Sequence, residues 1–403
     1  MAEATFDVVV FGATSFVGQI LCRVLMEQKS VRWAIAGRAR SKLEALQRTL
    51  GVNPPPILIA DASDAAALRA MCEQTRVVIS TVGPYALYGG PLVHVCAETG
   101  TDYCDLTGEP QWIREMLDRH EATAQKSGAR IVHCCGFDSL PSDLGVHFVQ
   151  RLAHERFGQP CVRVEARVKT LKGGASGGTI ASMLHLVKEA STNPALMRAL
   201  MDPYLLCPPP PNRGDVAQHD IFVPTRDAAR GDAWLAPFVM ATINTRVVHR
   251  THALSGLKYG RDFRYDEAMV MGRGVAGWLR AMGFTAGLGA LLTAAAVPPL
   301  RWALERFVLP KPGEGPSPEA QARGTFDIRF HGTTADGRSV SAKVTGDRDP
   351  GYGSTAKMLA QAGLCLANDV EALPGGFWTP VTAMGDALIA RLQREAGLSF
   401  EAL

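Results

Sequence analysis

The sequence has no surplus of either charge: 42 Lys and Arg stand against 39 Asp and Glu. No basic excess is left to neutralise a run of phosphates, so nucleic acid is not an expected partner. Cysteine occurs nine times but never as a CxxC pair, and the count is odd. That spacing argues against a disulfide framework or a zinc knuckle and favours reduced thiols in a cytoplasmic setting. The 10 histidines are scattered, with no HExxH and no paired-ligand spacing, so no metal is expected. Internal repeats and low-complexity tracts are lacking. Nothing before Phe6 resembles a signal peptide, because a short acidic start runs straight into a strand-like segment. What is present is an ordinary globular balance, 47% apolar and 20% charged over 403 residues, with room for two or three domains.

The first readable unit is Phe6 to Gln28. Val8, Val9, Val10 and Phe11 form a continuous apolar run, as in a parallel strand buried on both faces. Gly12-Ala13-Thr14-Ser15-Phe16-Val17-Gly18 follows, and Val17, Ile20, Leu21, Val24 and Leu25 then recur at helical spacing. Strand, glycine turn and helix in that order make a dinucleotide site. Gly12 permits the sharp turn, Gly18 lets the helix pack close, and the helix N-terminus offers N–H groups to a pyrophosphate. Ser15 departs from the G-x-x-G-x-x-G form, standing where a middle glycine would let the backbone approach. Its hydroxyl is a candidate phosphate donor.

The second strand, Trp33 to Ala36, ends without the acidic residue that an NAD site places on the ribose 2′-hydroxyl. Arg38, Arg40 and Lys42 cluster there instead, and a guanidinium suits a 2′-phosphate in charge and geometry. NADPH is therefore the expected cofactor. Three further apolar runs, Ile57 to Ala60, Val77 to Thr81 and Ile131 to Cys135, end in Asp61, in Val82-Gly83-Pro84-Tyr85 and in Gly136-Phe137-Asp138-Ser139. A helical pattern follows each, so a doubly wound parallel sheet is expected, with its ligands at the strands' carboxyl ends. Asp61 is then a contact near the adenine, and Val82, Gly83 and Pro84 border the nicotinamide. Asp105-Leu106-Thr107-Gly108-Glu109 completes the rim, and Asp138 becomes a substrate-binding candidate.

After Pro141 the pattern changes to an α+β second domain. Val162 to Thr170 alternates as a strand and runs through Lys172 into a glycine-rich stretch, with a helix starting near Thr179. The N–H groups of Gly177, Gly178 and Thr179, together with Lys172, are candidates to hold a thioester oxygen or a phosphate. Gly174-Ala175-Ser176-Gly177-Gly178 matches a G-x-S-x-G string. The strand stops several residues too early for a nucleophile elbow, which argues against a serine hydrolase. Thr325 to Phe330 and Ser339 to Val344 read as a hairpin, and 355–367 and 382–392 as helices. The expected division is 1–145 for the NADP-binding domain and 146–403 for the substrate or dimerisation domain. Within the latter, the C-terminal helices pack back on the first, and 275–305 is apolar. Its 20-residue core, Ala281 to Leu300, carries no charge. Ala and Gly are abundant there and Pro298-Pro299 ends the helix, so a buried, cleft-covering or peripheral membrane element is expected rather than a span.

Collected, these motifs resemble a family. Gly12-Ala13-Thr14 with Phe16-Val17-Gly18, Ala36-Gly37-Arg38, Val82-Gly83-Pro84-Tyr85 and Cys135-Gly136-Phe137-Asp138-Ser139 are similar to the saccharopine-dehydrogenase-like oxidoreductases. Asn244-Thr245-Arg246, Tyr259-Gly260-Arg261 and Ala383-Met384-Gly385-Asp386 point within that group to the bacterial, mycobacterial-type trans-acting enoyl reductases. The likeness covers nearly the whole chain, Ser15 being a departure. It implies an NADPH-dependent oxidoreductase of lipid or glycolipid biosynthesis that saturates an acyl or polyketide thioester held on a carrier protein. It also fits a homodimer at the inner face of the plasma membrane. Tyr85 and Lys172 are then the catalytic candidates, Tyr85 either donating a proton or binding the carbonyl, or else only packing beside the ribose. An amino-acid or imine dehydrogenase and a non-catalytic NADP- and lipid-binding protein remain the alternatives.

Overall fold

The computed structural model describes residues 4–28, 30–173, 177–214, 216–218, 220–307, 315–370 and 372–403. Six strands come first: β1 (Phe6–Phe11), β2 (Trp33–Gly37), β3 (Ile57–Ile59), β4 (Thr75–Ser80), β5 (Asp102–Asp105) and β6 (Arg130–Val132). Eight follow: β7 (Cys161–Lys172), β8 (Thr225–Asp227), β9 (Ala233–Pro237), β10 (Arg264–Gly272), β11 (Thr325–Thr334), β12 (Ser339–Gly346), β13 (Gly376–Trp378) and β14 (Leu398–Ala402). They form two seven-stranded sheets.

The first sheet has the order β13-β6-β5-β4-β1-β2-β3, and all its pairs are parallel. Its central strands are apolar throughout because helices cover both faces; Val8, Val9, Val10 and Val77, Val78, Ile79 are fully buried. This is the doubly wound α/β sheet the sequence predicts. β5 escapes a reading by periodicity, since Asp102 and Asp105 bracket only two other residues. Both aspartates are nonetheless buried, and each is held by partners: Asp102 by Arg130, and Asp105 by Tyr103, His133 and two backbone N–H groups.

The second sheet, β14-β12-β11-β7-β10-β9-β8, is antiparallel except between β7 and β10. On β7, Val164, Ala166 and Val168 face the core, while Arg163, Glu165 and Arg167 alternate with them on the other face. There Arg167 pairs with Glu165, Asp227 and Asp266, and Arg230 with Glu165 and Asp227, so a largely buried charge network coats the sheet.

The two units are interleaved. The helix Leu140–Phe157 runs unbroken through position 145 and packs on β11 and β12 of the second sheet. In return, the helix Thr355–Asn368 lies against β1, β4 and β5, and β13 adds itself to the edge of the first sheet beside β6. The apolar segment forms two helices, Gly274–Ala296 and Pro298–Phe307, which pack on each other and are largely exposed.

Candidate active site

The crevice lies where the strand order reverses, between the carboxyl ends of β1 and β4. At the end of β1, Gly12 adopts φ +84°, and a Cβ there would stand 2.6 Å from Val82 Cγ2. A Cβ on Gly18 would come within 2.4 Å of the Gly12 carbonyl oxygen. Both positions therefore require glycine, one for conformation and one for close helix packing. The helix Phe16–Met26 starts here. Among the described residues, the N–H groups of Phe16 and Val17 have no acceptor, leaving them directed at the crevice beside Thr14.

Ser15 does not present its hydroxyl to a phosphate. Its Oγ accepts from the Gly18 N–H at 2.9 Å, an N-cap, and lies 2.9 Å from Thr81 Oγ1. Thr81 donates its single hydroxyl proton to the Gly12 carbonyl at 2.9 Å, so in the Ser15–Thr81 contact Ser15 is the donor. A phosphate here would be met by the backbone N–H groups instead.

Beyond β2, Arg38 and Lys42 are exposed and have no ion pair or hydrogen bond among the described residues, while Arg40 lies 3.9 Å from Glu44. Asp61 sits at the end of the neighbouring β3, where its carboxylate accepts from the N–H and hydroxyl of Ser63. Those bonds, with the Arg38 charge nearby, hold it below the usual carboxylate range. The glycine cradle, the free helix N–H groups and the unpaired Arg38 together fit a dinucleotide with a 2′-phosphate. NADPH would be held along Gly12 to Gly18, with Arg38 and Lys42 at the ribose phosphate and Val82, Gly83 and Pro84 at the nicotinamide.

Tyr85 packs inside the fold, the second of the two roles the sequence allows it. Its ring is buried against Trp112, and its hydroxyl donates to the Ser80 carbonyl at 3.0 Å. Burial, with the Asp105 charge, pushes the phenol well above its usual range. In this structure the hydroxyl is enclosed and spent on the Ser80 carbonyl. The residue that organises this corner is Glu109, which is buried and accepts from the N–H groups of Tyr85 and Ala86 and from the Ser182 hydroxyl. Ser182 belongs to the helix Gly177–Thr192 of the second unit, so Glu109 clasps the two units beside the crevice. The rim motif contained Glu109, but nothing in the sequence announced that clasp.

Asp138 behaves differently. It lies beyond β6, next to Gly108 and across from Met240, and its half-buried carboxyl has no hydrogen-bond partner among the described residues. Burial pushes it up to about 6. A desolvated, unpartnered carboxyl at a strand's carboxyl end is equipped to hold or give a proton near neutrality.

Lys172 ends β7, exposed and paired across the ladder with Thr325. The helix expected to start near Thr179 opens at Gly177, with Gly178 and Thr179 inside it, whereas Gly174, Ala175 and Ser176 lie outside the described residues. Asn244, Thr245 and Arg246 form an internal network. Asn244 bonds Ser142 and Glu267, while Thr245 and Arg246 both bond Asp220. These motif residues are buried and join the helix Ala241–Leu254 to its surroundings.

Residues 8–132 match the family model described as the saccharopine dehydrogenase NADP binding domain. A Mycobacterium tuberculosis protein, named provisionally as a trans-acting enoyl reductase, is 42% identical over 98% of this chain and 97% of its own length. The trans-acting enoyl reductase of Mycobacterium bovis is 39% identical over 97% of this chain and 96% of its own. Among solved structures, the apo saccharopine dehydrogenase (L-Glu forming) of Saccharomyces cerevisiae covers 99% of this chain and 100% of its own. It does so at a TM-score of 0.56 and 15% identity, a likeness of fold. On the crevice, the cofactor residues and these likenesses, the chain belongs to the saccharopine-dehydrogenase-like, NADP-dependent oxidoreductases, in the group that includes the mycobacterial trans-acting enoyl reductases.

Proposed function

We propose that the protein is a stand-alone enoyl reductase, saturating an enoyl thioester for a synthase of lipid or polyketide-lipid (glycolipid) assembly. The observation that carries this reading is the near full-length likeness to relatives of that name. NADPH, when bound, supplies the hydride that reaches the β-carbon of the substrate. The protein's own part is to hold the thioester in the crevice and deliver a proton to the α-carbon. We assign that proton to Asp138, whose half-buried carboxyl has no partner among the described residues, while the Tyr85 hydroxyl is enclosed. Lys172 is a solvent-facing cation that a carrier's phosphopantetheine phosphate can use. A homodimer is part of the same reading.

An amino-acid substrate would need cations free to bind its carboxylates. Arg246 and Arg250 are buried in the second unit, the first held by Asp220 and the Leu200 carbonyl, the second by the carbonyls of Leu206 and Phe377. That weighs against the dehydrogenase alternative. The test is oxidation of NADPH by purified protein with an enoyl thioester, beside amino acids, keto acids and imines. Turnover with the thioester alone supports the proposal. Turnover with an amino or keto acid replaces it, and nucleotide binding with no turnover on any thioester favours a non-catalytic lipid-binding role.

A further inference from the structure

The helix Gly274–Ala296 is long and apolar enough to cross a membrane by length and composition, yet only 11% of its apolar stretch is buried. Its exposed side is ordered. Val275, Trp278, Leu279 and Met282 repeat at the spacing of one helical face, each at least 41% exposed. The following helix, Pro298–Phe307, adds Leu300, Trp302 and Phe307, exposed by 50%, 61% and 74%. A contiguous run of large apolar side chains left in water marks an interaction surface.

Charge identifies the occupant. Residues 273–307 hold four arginines, Arg273, Arg280, Arg301 and Arg306, against the single acid Glu305. This stretch alone carries the whole +3 formal charge of the chain, and the rest is balanced. None of the four has a carboxylate partner among the described residues; Arg280 and Arg301 reach only backbone carbonyls. A second copy seated here would set four arginines against four. Anionic headgroups would compensate them. Two of the six tryptophans, Trp278 and Trp302, lie on this hairpin among the arginines, as side chains do at a membrane's polar boundary.

The hairpin does not span. Its first turns are tied to the second sheet: a Cβ on Gly277 would stand 2.3 Å from the Gly272 carbonyl oxygen and 3.3 Å from Trp234. Ala281 and Ala295 are fully buried, and the second helix folds back on the first after Val297. We infer that residues 274–307 form a monotopic seat by which the protein rests on an anionic lipid surface, its apolar face in the acyl boundary and its arginines at the headgroups. This stands whether or not the substrate is an enoyl thioester.

The experiment is flotation of the full chain with vesicles of phosphatidylcholine, alone or mixed with phosphatidylglycerol, without substrate. Binding to the mixed vesicles is expected, with little binding to phosphatidylcholine alone. Arg280→Gln with Arg301→Gln should weaken it by about 25-fold, taking roughly fivefold per arginine, or about 1 kcal/mol. Trp278→Ser with Trp302→Ser should abolish it, and NADPH binding in both variants checks that the fold survives. Release by alkaline carbonate is expected of a seat, whereas recovery by detergent only would mean a span. Failure to float with the mixed vesicles overturns the inference, as does full binding by the double arginine variant. A lipid-free dimer that Trp278→Ser dissociates would assign the face to a second copy instead.

Discussion

Ser15 Oγ and Thr81 Oγ1 lie 2.9 Å apart, joining the glycine turn after β1 to the chain that leaves β4. The two ends face each other across the strand-order reversal, so the contact ties together the two lips of the cofactor crevice. It also explains a departure from the glycine pattern. A serine is tolerated there because its hydroxyl turns inward to cap the helix, leaving the backbone N–H groups of Phe16 and Val17 to the pyrophosphate. Ser15→Ala should therefore cost about 1 kcal/mol of stability, the worth of an N-cap. NADPH affinity should stay close to that of the parent. A large loss of affinity at unchanged stability, measured by titration and urea unfolding, would give the hydroxyl to the phosphate after all.

Arg38 is exposed and has no partner among the described residues, so its charge is available to a 2′-phosphate. Arg38→Ala should weaken NADPH by roughly 10- to 100-fold, the range for one charge-assisted contact, and leave NADH nearly unchanged. Fluorescence titration with both nucleotides decides it. Equal losses for the two would place Arg38 elsewhere.

Tyr85→Phe should keep turnover near the parent rate, because the hydroxyl is spent on the Ser80 carbonyl inside the fold. Its cost is stability, on the order of 1 kcal/mol for the lost hydrogen bond. A collapse of kcat with stability unchanged would restore the phenol as the proton donor.

If Asp138 gives the proton, it must be protonated to act. With its carboxyl pushed up to about 6, kcat/KM should fall as pH rises through that value. Asp138→Asn should remove this limb and lower the rate by about 10²- to 10⁴-fold. An Asn variant with the parent's pH profile would rule the assignment out.

Asp143 is fully buried, accepts from Thr251 and the Val381 N–H, and is pushed up to about 7 by burial. Its folded value exceeds its unfolded one near 3.9. The stability it contributes is therefore complete below pH 4 and is lost as pH rises toward 7. Asp143→Asn should gain on the parent across that window by at most about 1.4 kcal/mol per pH unit, whatever its baseline. Urea unfolding at pH 4.5 and pH 7 measures the difference. Parallel pH dependences would show that Asp143 ionises normally.

The sequence alone determined the local parts of the molecule. The apolar run at Val8 to Phe11, the glycines at 12 and 18 and the helical spacing from Val17 are consecutive, and the strand, turn and helix they encode need no distant partner to be recognised. The bare basic turn after β2 spoke for NADP in the same way. Tertiary structure decided what depends on residues far apart in the chain. β13 has three residues and no periodicity, and it is a strand because β6 offers an open edge. Tyr85 could be read either as a proton donor or as packing beside the ribose, and Trp112 and the Ser80 carbonyl enclose it. Glu109 became a clasp only once Ser182 was brought to it from 73 positions away. The hairpin at 274–307 was legible as apolar, but whether it was buried or bare rested on how much of it the second sheet covered. Hydrophobic period and turn chemistry are short-range and can be read along a chain; burial and the pairing of polar groups are set by which distant segments pack together.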